Sequence, residues 1–235
     1  MTALPAPNSQ QALRISPVRR AVPPLENGAR LDATEFMRRY EAMPELKKAE
    51  LIDGVVYVMG SPVRQTLHSK PHVRLVGLLN SYSLATPGVD PGDNCTVKID
   101  EENTFQPDGL LYLTPVRNGK SSIDDDDFIV GAPELLIEVD ASSVSMDTQR
   151  KMHAYEKAGV QEYIIWRTED EAINWWTLDG GSYKELLPDA DGIIRSRVFP
   201  GLWLDPKAMI ADNCARMNAV LMMGLSSAEH AAFVK

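Results

Sequence analysis

The chain has 235 residues, 44% of them hydrophobic and 24% charged, enough for a sizeable core in one large domain and unlike a disordered or collagen-like composition. Twenty-four basic residues against 33 acidic leave a net charge of −9, which excludes a nonspecific nucleic-acid coat protein and a polybasic membrane binder. It leaves room for a local phosphate or metal site, since acidic proteins often hold divalent cations.

Cys95 and Cys214 lack C-x-x-C spacing, so a zinc knuckle or disulfide framework is excluded and a reducing cytoplasm is the expected setting. No apolar run approaches the roughly 20 residues of a membrane span. The N-terminus lacks the pattern of a secretory signal.

Residues 1–30 contain five prolines and four arginines against a single acid, Glu26, a net +3 that leaves −12 for the rest. With no hydrophobic period they read as an extended or disordered tail, and residues 31–235 as a single folded domain. Asp32-Ala-Thr-Glu35 is a capping-box pattern with Leu31 and Phe36 placed as a hydrophobic staple, so a helix should run to Tyr40 or Glu41. Asp53-Gly54 between two β-prone runs predicts a hairpin, with Glu50 on its first strand. A helix follows around Pro71, with apolar residues three and four apart, ending near Thr86-Pro87-Gly88.

Two strands are predicted next, Cys95 to Ile99 and Phe105 to Leu113, and the run Asp124 to Asp127 reads as a solvated turn. Glu134 to Asp140 has the composition of a buried central strand. A helix from Met146 to Ala158 should stop at Gly159, followed by a strand from Val160 to Arg167. A meander continues through Ile173–Leu178, Tyr183–Leu187 and Ile193–Phe199. The end is helical, from Pro206 to Gly224 and in a short helix capped by Ser226. The order predicts one α/β domain with a mixed central sheet flanked by helices.

Asp108, after Pro107, and Glu138 lie within predicted strands, not in solvated turns. Alternation puts Leu135, Ile137 and Val139 on one face and Leu136, Glu138 and Asp140 on the other. A carboxylate in a buried strand is costly unless paired, protonated or bound to metal. On adjacent strands, Asp108 and Glu138 would reach one hard cation. The alternative is structural: Glu138 paired with Lys151 or Arg150, and Asp108 capping a turn.

Glu50, then Pro107-Asp108, then Glu138-Val139-Asp140 resembles the PD-(D/E)XK nuclease superfamily. More closely, the chain is similar to the Uma-type restriction-endonuclease family. The segments that carry this are Glu50-Leu-Ile-Asp-Gly54, Gln106-Pro-Asp-Gly-Leu-Leu111, Gly131-Ala-Pro-Glu-Leu-Leu-Ile-Glu-Val139, Lys151 with Tyr155, Gly159-Val-Gln-Glu-Tyr163 and Phe199-Pro-Gly-Leu-Trp-Leu204. Each is weak alone; their order and spacing together are specific.

The resemblance implies a restriction-endonuclease-like fold, a homodimer, and DNA phosphodiester hydrolysis with Mg²⁺ or Mn²⁺. Asp108 and Glu138 match the superfamily's metal-binding acids, the Val139 carbonyl a further ligand, and Glu50 the acid that binds directly or through water. The strand lysine two residues after the second acid is replaced by Asp140. In the Uma-type family that lysine sits on the following helix, where Lys151 matches. There it would orient the attacking water or stabilise charge on the phosphoryl oxygens.

Two alternatives stand beside this. Lys151 would otherwise form an i,i+4 pair with Asp147, worth about 0.3–0.5 kcal/mol. Asp140 would place negative charge where a phosphate must come, which favours a catalytically impaired protein acting as a binding or regulatory module. Gln106 shares a strand face with Asp108. His68 and His72 flank Pro71 and read as helix-start or phosphate-contacting residues before metal ligands. His153 reads as a surface residue and His230 as part of the chain end. Of Trp175 and Trp176, one should be core. An active enzyme needs a basic rim, for which Arg64, Lys70, Arg74, Arg150 and Lys151 are candidates.

Overall fold

The computed structural model describes residues 22–60, 62–141 and 146–235, the side chains of 146–148 excepted. Most of the predicted tail lies outside these residues. Its last part, 22–30, is docked: Gly28 N donates to Val56 O at 2.7 Å, Arg30 bridges Val55, and Leu25 is buried.

The first helix, α1 (Ala33–Glu41), begins where the capping pattern places it, with Asp32 Oδ1 accepting the Glu35 amide at 2.8 Å. The Glu35 carboxylate turns instead to Arg38 and Arg39, at 2.6 and 2.7 Å. Asp32→Ala is expected to cost about 1 kcal/mol in urea unfolding, the usual value of a side-chain N-cap. An unchanged midpoint would show that the cap contributes nothing.

Strands β1 (Lys48–Ile52) and β2 (Val55–Met59) form the predicted hairpin. Asp53 and Gly54 take φ of 49° and 71°, the positive angles of the turn that matches strand twist. One π-helical turn, Gln65–Ser69, leads directly into α2 (Lys70–Leu84), with Pro71 in its first turn, and the Leu67 carbonyl four residues back accepts the Thr168 hydroxyl at 2.9 Å.

Downstream, the predicted strands are subdivided. An unforeseen strand β3 (Val89–Asp93) reads Val-Asp-Pro-Gly-Asp, with no β-prone run to announce it. It is an edge strand, where Pro91 is tolerated because one side has no ladder to serve. The predicted Cys95–Ile99 strand is short, β4 (Val97–Lys98). The predicted strand Phe105–Leu113 is two: β5 (Thr104–Phe105) and β6 (Gly109–Leu113), in different sheets. Pro107, which has no amide to donate, falls at the break. The acidic run is the turn between β7 (Ser122–Ile123) and β8 (Ile129–Val130). There Asp124 accepts the amides of Asp126 and Phe128 and pairs with Lys98 at 2.8 Å.

The central strand β9 (Leu135–Asp140), helix α3 (Met146–Ala158) and strand β10 (Glu162–Arg167) make a parallel crossover, with Gly159 at φ 81° ending the helix. Strands β11 (Ala172–Asp179), β12 (Ser182–Glu185), β13 (Ile194–Arg195) and β14 (Trp203–Leu204) follow. The predicted long C-terminal helix is broken into α4 (Pro206–Ile210) and α5 (Cys214–Leu225). Asp212 adopts φ 53° and Asn213 caps α5. Ser227, not Ser226, caps α6 (Ala228–Phe233). His230 is buried against Thr86 and the Leu225 carbonyl.

The mixed α/β fold therefore holds two six-stranded sheets where one was predicted: β2-β1-β5-β4-β8-β7 and β12-β11-β10-β9-β6-β3, with β13-β14 as a ribbon. The second sheet is central. One face, through Leu135, Ile137, Val139, Ile164 and Trp175, packs on α2, α4 and α5. The other, through Leu110, Leu136, Tyr163 and Ile165, packs on α3 and on Ile52 and Phe105 of the first sheet. Trp175 is the core tryptophan, while Trp176 stacks on Tyr163 with centroids 5.6 Å apart. Among the described residues no helix is long and apolar enough to cross a membrane.

Candidate active site

The two sheets meet where the chain passes from β5 to β6 through Gln106-Pro107-Asp108. The β6–β9 register pairs Gly109 with Ile137, so one step further along Asp108 falls opposite Glu138. Leu110 and Leu136, which alternate with those acids, lie in the cluster beneath α3, so both carboxylates belong to that face. Glu50 reaches the same place from β1, and Lys151 from the second turn of α3. Four side chains that are distant in sequence thus converge at the junction of the sheets.

All four are buried. The Lys151 Nζ lies 3.0 and 2.9 Å from the two oxygens of Glu50 and 3.1 Å from Glu138 Oε1. Tyr155, one helical turn further on, donates to the same Glu138 oxygen at 2.8 Å. Glu50 Oε1 also accepts the Gln106 amide at 3.0 Å, tying β1 to the crossing segment. The Gln106 side chain itself turns away to Tyr40 and the Asn94 carbonyl. The alternative pairing of Glu138 with Lys151 therefore exists, but as part of the cluster. The proposed Asp147 partner lies outside the described side chains.

Asp108 is bound from three sides. Its Oδ2 accepts the Val139 amide at 2.8 Å and lies 3.3 Å from His68 Nε2; its Oδ1 is 3.4 Å from Lys48 Nζ. The π-helical turn places His68 beside His72, whose Nε2 lies 2.8 Å from the Asp108 carbonyl and 2.9 Å from Asp93 Oδ1. Such turns recur at functional sites, and here one brings the His68 imidazole to the Asp108 carboxylate.

Charge explains the titration of these groups. Burial alone would raise the Asp108 carboxyl, but His68, Lys48 and the Val139 N–H outweigh it and hold it far below the usual range. The partnership in turn raises His68 above an ordinary histidine. Burial would lower Lys151, yet Glu138 and Glu50 hold it well above an ordinary lysine. Asp108 is served by His68 and Lys48, whereas Glu138 shares Lys151 with Glu50. Burial, with Asp108 and Glu50 beside it, raises the Glu138 carboxyl despite Lys151.

A divalent cation fits this donor set. The oxygens are hard ligands, three carboxylates meet there, and Glu138 Oε2 accepts no hydrogen bond among the described residues. No group of three or more His, Cys, Asp and Glu side chains forms a ready-made cage among those residues. Lys151 sits between Glu50 and Glu138, which keeps the third acid from closing one.

Of the predicted basic rim, Arg64 is exposed at the start of the π-helical turn that carries His68, and the others are engaged. Lys70 and Arg74 are held by Asp212 at 2.6 and 2.9 Å, and Arg150 donates to the Tyr57 hydroxyl. Lys151 is in the site itself. Lys48 was overlooked, although a signal existed: two residues before Glu50 on a strand is the same face.

This is a nuclease-type α/β fold. A solved structure described as "a putative nuclease belonging to DUF820 from Anabaena variabilis" matches with a TM-score of 0.58 at 14% identity, over 74% of this chain and 97% of that one. That likeness is one of fold. The Uma2 family, described as "Putative restriction endonuclease", matches residues 33–207, and the chain belongs to it. No curated protein matches the chain.

Proposed function

We propose that this chain is an Mg²⁺- or Mn²⁺-dependent endonuclease that hydrolyses DNA phosphodiester bonds at the junction of its two sheets. The observation that carries the reading is the meeting of Asp108, Glu138, Glu50 and Lys151 at one buried point in a chain of this family. Asp108 and Glu138 would hold the cation, with the Val139 carbonyl beside them. Glu50 would act through a water or through Lys151. A cation held there supplies charge for the phosphoryl oxygens and lowers the pKa of water.

The chain's own residues do the rest. The Val139 amide and His68 fix the Asp108 carboxylate, and Tyr155 and Lys151 fix that of Glu138, so both acids face the substrate preorganised. The Lys151 ammonium sits between the Glu50 and Glu138 carboxylates and offsets part of the repulsion between them. Water adds to phosphorus and one ester oxygen leaves as a hydroxyl. Family resemblance supports a homodimer that cuts both strands, and the two unpaired cysteines support a reducing cytoplasm as its setting. A monomer in sedimentation equilibrium at working concentration would overturn that assembly.

The test is plasmid nicking with Mg²⁺ or Mn²⁺, with a chelator control and Asp108→Asn. Cutting should require the metal and fall by about 10²-fold or more in the variant. Equal cutting by both proteins assigns the activity to a contaminant. A second reading, a binding or regulatory module on a nuclease fold, rests on Asp140 at the strand position that the superfamily gives to lysine. Metal-dependent duplex binding by a pure protein that never cuts would establish it instead.

A further inference from the structure

Hydrolysis of a phosphodiester needs a cation facing the substrate, and Lys151 is poorly placed for it. An ammonium has three N–H groups. Lys151 donates to Glu50 Oε1 and Glu138 Oε1 at 3.0 and 3.1 Å, Glu50 Oε2 lies 2.9 Å from the same ammonium, and the side chain is only 7% exposed. Turning one donor to a phosphate would strip a buried carboxylate of its partner, a costly exchange. Lys70, Arg74 and Arg150 are engaged elsewhere, with Asp212 and Tyr57, and Arg64, exposed before the π-helical turn, pairs with none of Glu50, Asp108 and Glu138.

Lys48 differs on every count. It precedes Glu50 by two residues on β1, so both project from one face of that strand. Its side chain is 24% exposed, and its one partner among the described residues is Asp108 Oδ1 at 3.4 Å. That is longer than a charge-assisted hydrogen bond of about 2.7–2.9 Å. Two donors remain for a ligand arriving from solvent beside the acid that faces Glu138.

We propose that Lys48 is the phosphate-contacting cation of this site, and that Lys151 is a positioning residue that holds Glu50 and Glu138. The strand position two residues beyond Glu138 carries Asp140, and the cation that serves the phosphate comes instead from the first sheet. The inference deepens the nuclease reading and rests on it.

The experiment pairs cleavage in Mg²⁺ with fluorescence anisotropy of a labelled DNA duplex in Ca²⁺, across a KCl series. The proteins are wild type, Lys48→Met and Lys48→Arg. Lys48→Met should lower kcat by about 10²-fold, as loss of one transition-state donor does. It should also flatten the dependence of log affinity on log salt by about one unit, the signature of one lost phosphate contact. Lys48→Arg should keep the slope and recover part of the rate.

Wild-type rate and slope in Lys48→Met overturn the proposal while leaving the nuclease reading intact. Equal loss in both variants with an unchanged slope marks a scaffold role and overturns it too. A wild type that neither cuts nor binds the duplex removes the nuclease reading, and this inference with it.

Discussion

Glu138→Gln is expected to lose plasmid cleavage by about 10²-fold or more while keeping its fold, and to gain stability over the wild type as pH rises. The amide is close to isosteric, and its oxygen can accept from both Lys151 and Tyr155, which share Glu138 Oε1. What disappears is the charge. Burial raises the Glu138 carboxyl in the folded state, so the native protein holds that proton more tightly than the unfolded chain does. Its contribution is complete below about pH 4.5 and is lost as pH rises through the folded value. The variant carries no such loss, so the gap between the proteins should widen from acid to neutral pH in urea unfolding without metal.

Adding Mg²⁺ should reverse the ranking. A cation that binds only the folded wild type stabilises it by mass action, and the amide removes much of that affinity. Equal cleavage by the two proteins would sink the site assignment. A variant that loses several kcal/mol at every pH would instead make Glu138 a structural acid. The two readouts separate the roles because one follows the charge and the other the hydrogen bonds.

What could be read in advance depended on how local its cause was. The Asp53-Gly54 turn, the Asp32 cap and the Gly159 stop are set by neighbouring residues, and all three appear where the sequence puts them. The shared face of Leu136 and Glu138 followed from strand alternation alone. That Asp108 would stand opposite Glu138 followed from pattern and family likeness together. The two-sheet division did not, because it turns on one proline between Phe105 and Gly109 and on very short strands. Strand β3 is held by pairing with β6, not by its own propensity, and nothing in Asp-Pro-Gly-Asp foretells it. The approach of His68 to Asp108 depends on a π-helical turn, which has no sequence signature comparable to a cap. Lys48 was legible, since any residue two before Glu50 on a strand shares its face.

The acidic excess also takes on a local meaning. Asp124 is consumed by its own turn, and Asp212 by Lys70 and Arg74. The cluster around Glu138 brings three buried carboxylates to one point. That is where a cation would be gained most.

Lys151→Met is expected to destabilise the protein by about 3–5 kcal/mol at neutral pH, the cost of breaking a buried ion pair by removing one partner. Methionine fills most of the aliphatic volume, so the loss is electrostatic and not a cavity. Without the ammonium, Glu50 keeps the Gln106 amide and Glu138 keeps Tyr155, but neither carboxylate has a cation in contact. The Glu138 carboxyl, already raised, rises further, and its protonated form persists to higher pH. A raised folded value again means stability that is present at acid pH and lost on the way to neutral. The deficit relative to wild type should therefore be smallest near pH 5 and largest at pH 7 and above. Combining Lys151→Met with Glu138→Gln should restore part of the loss, since one unpaired buried charge is gone; additive losses would show that the two residues are not coupled. Urea midpoints at several pH values measure all of this without any nuclease assay. A Lys151→Met protein as stable as wild type at neutral pH would refute the buried triad. If the deficit appears as described, inactivity of a Lys151 variant is first a consequence of lost carboxylate geometry, and the cation that meets the phosphate is to be sought at Lys48.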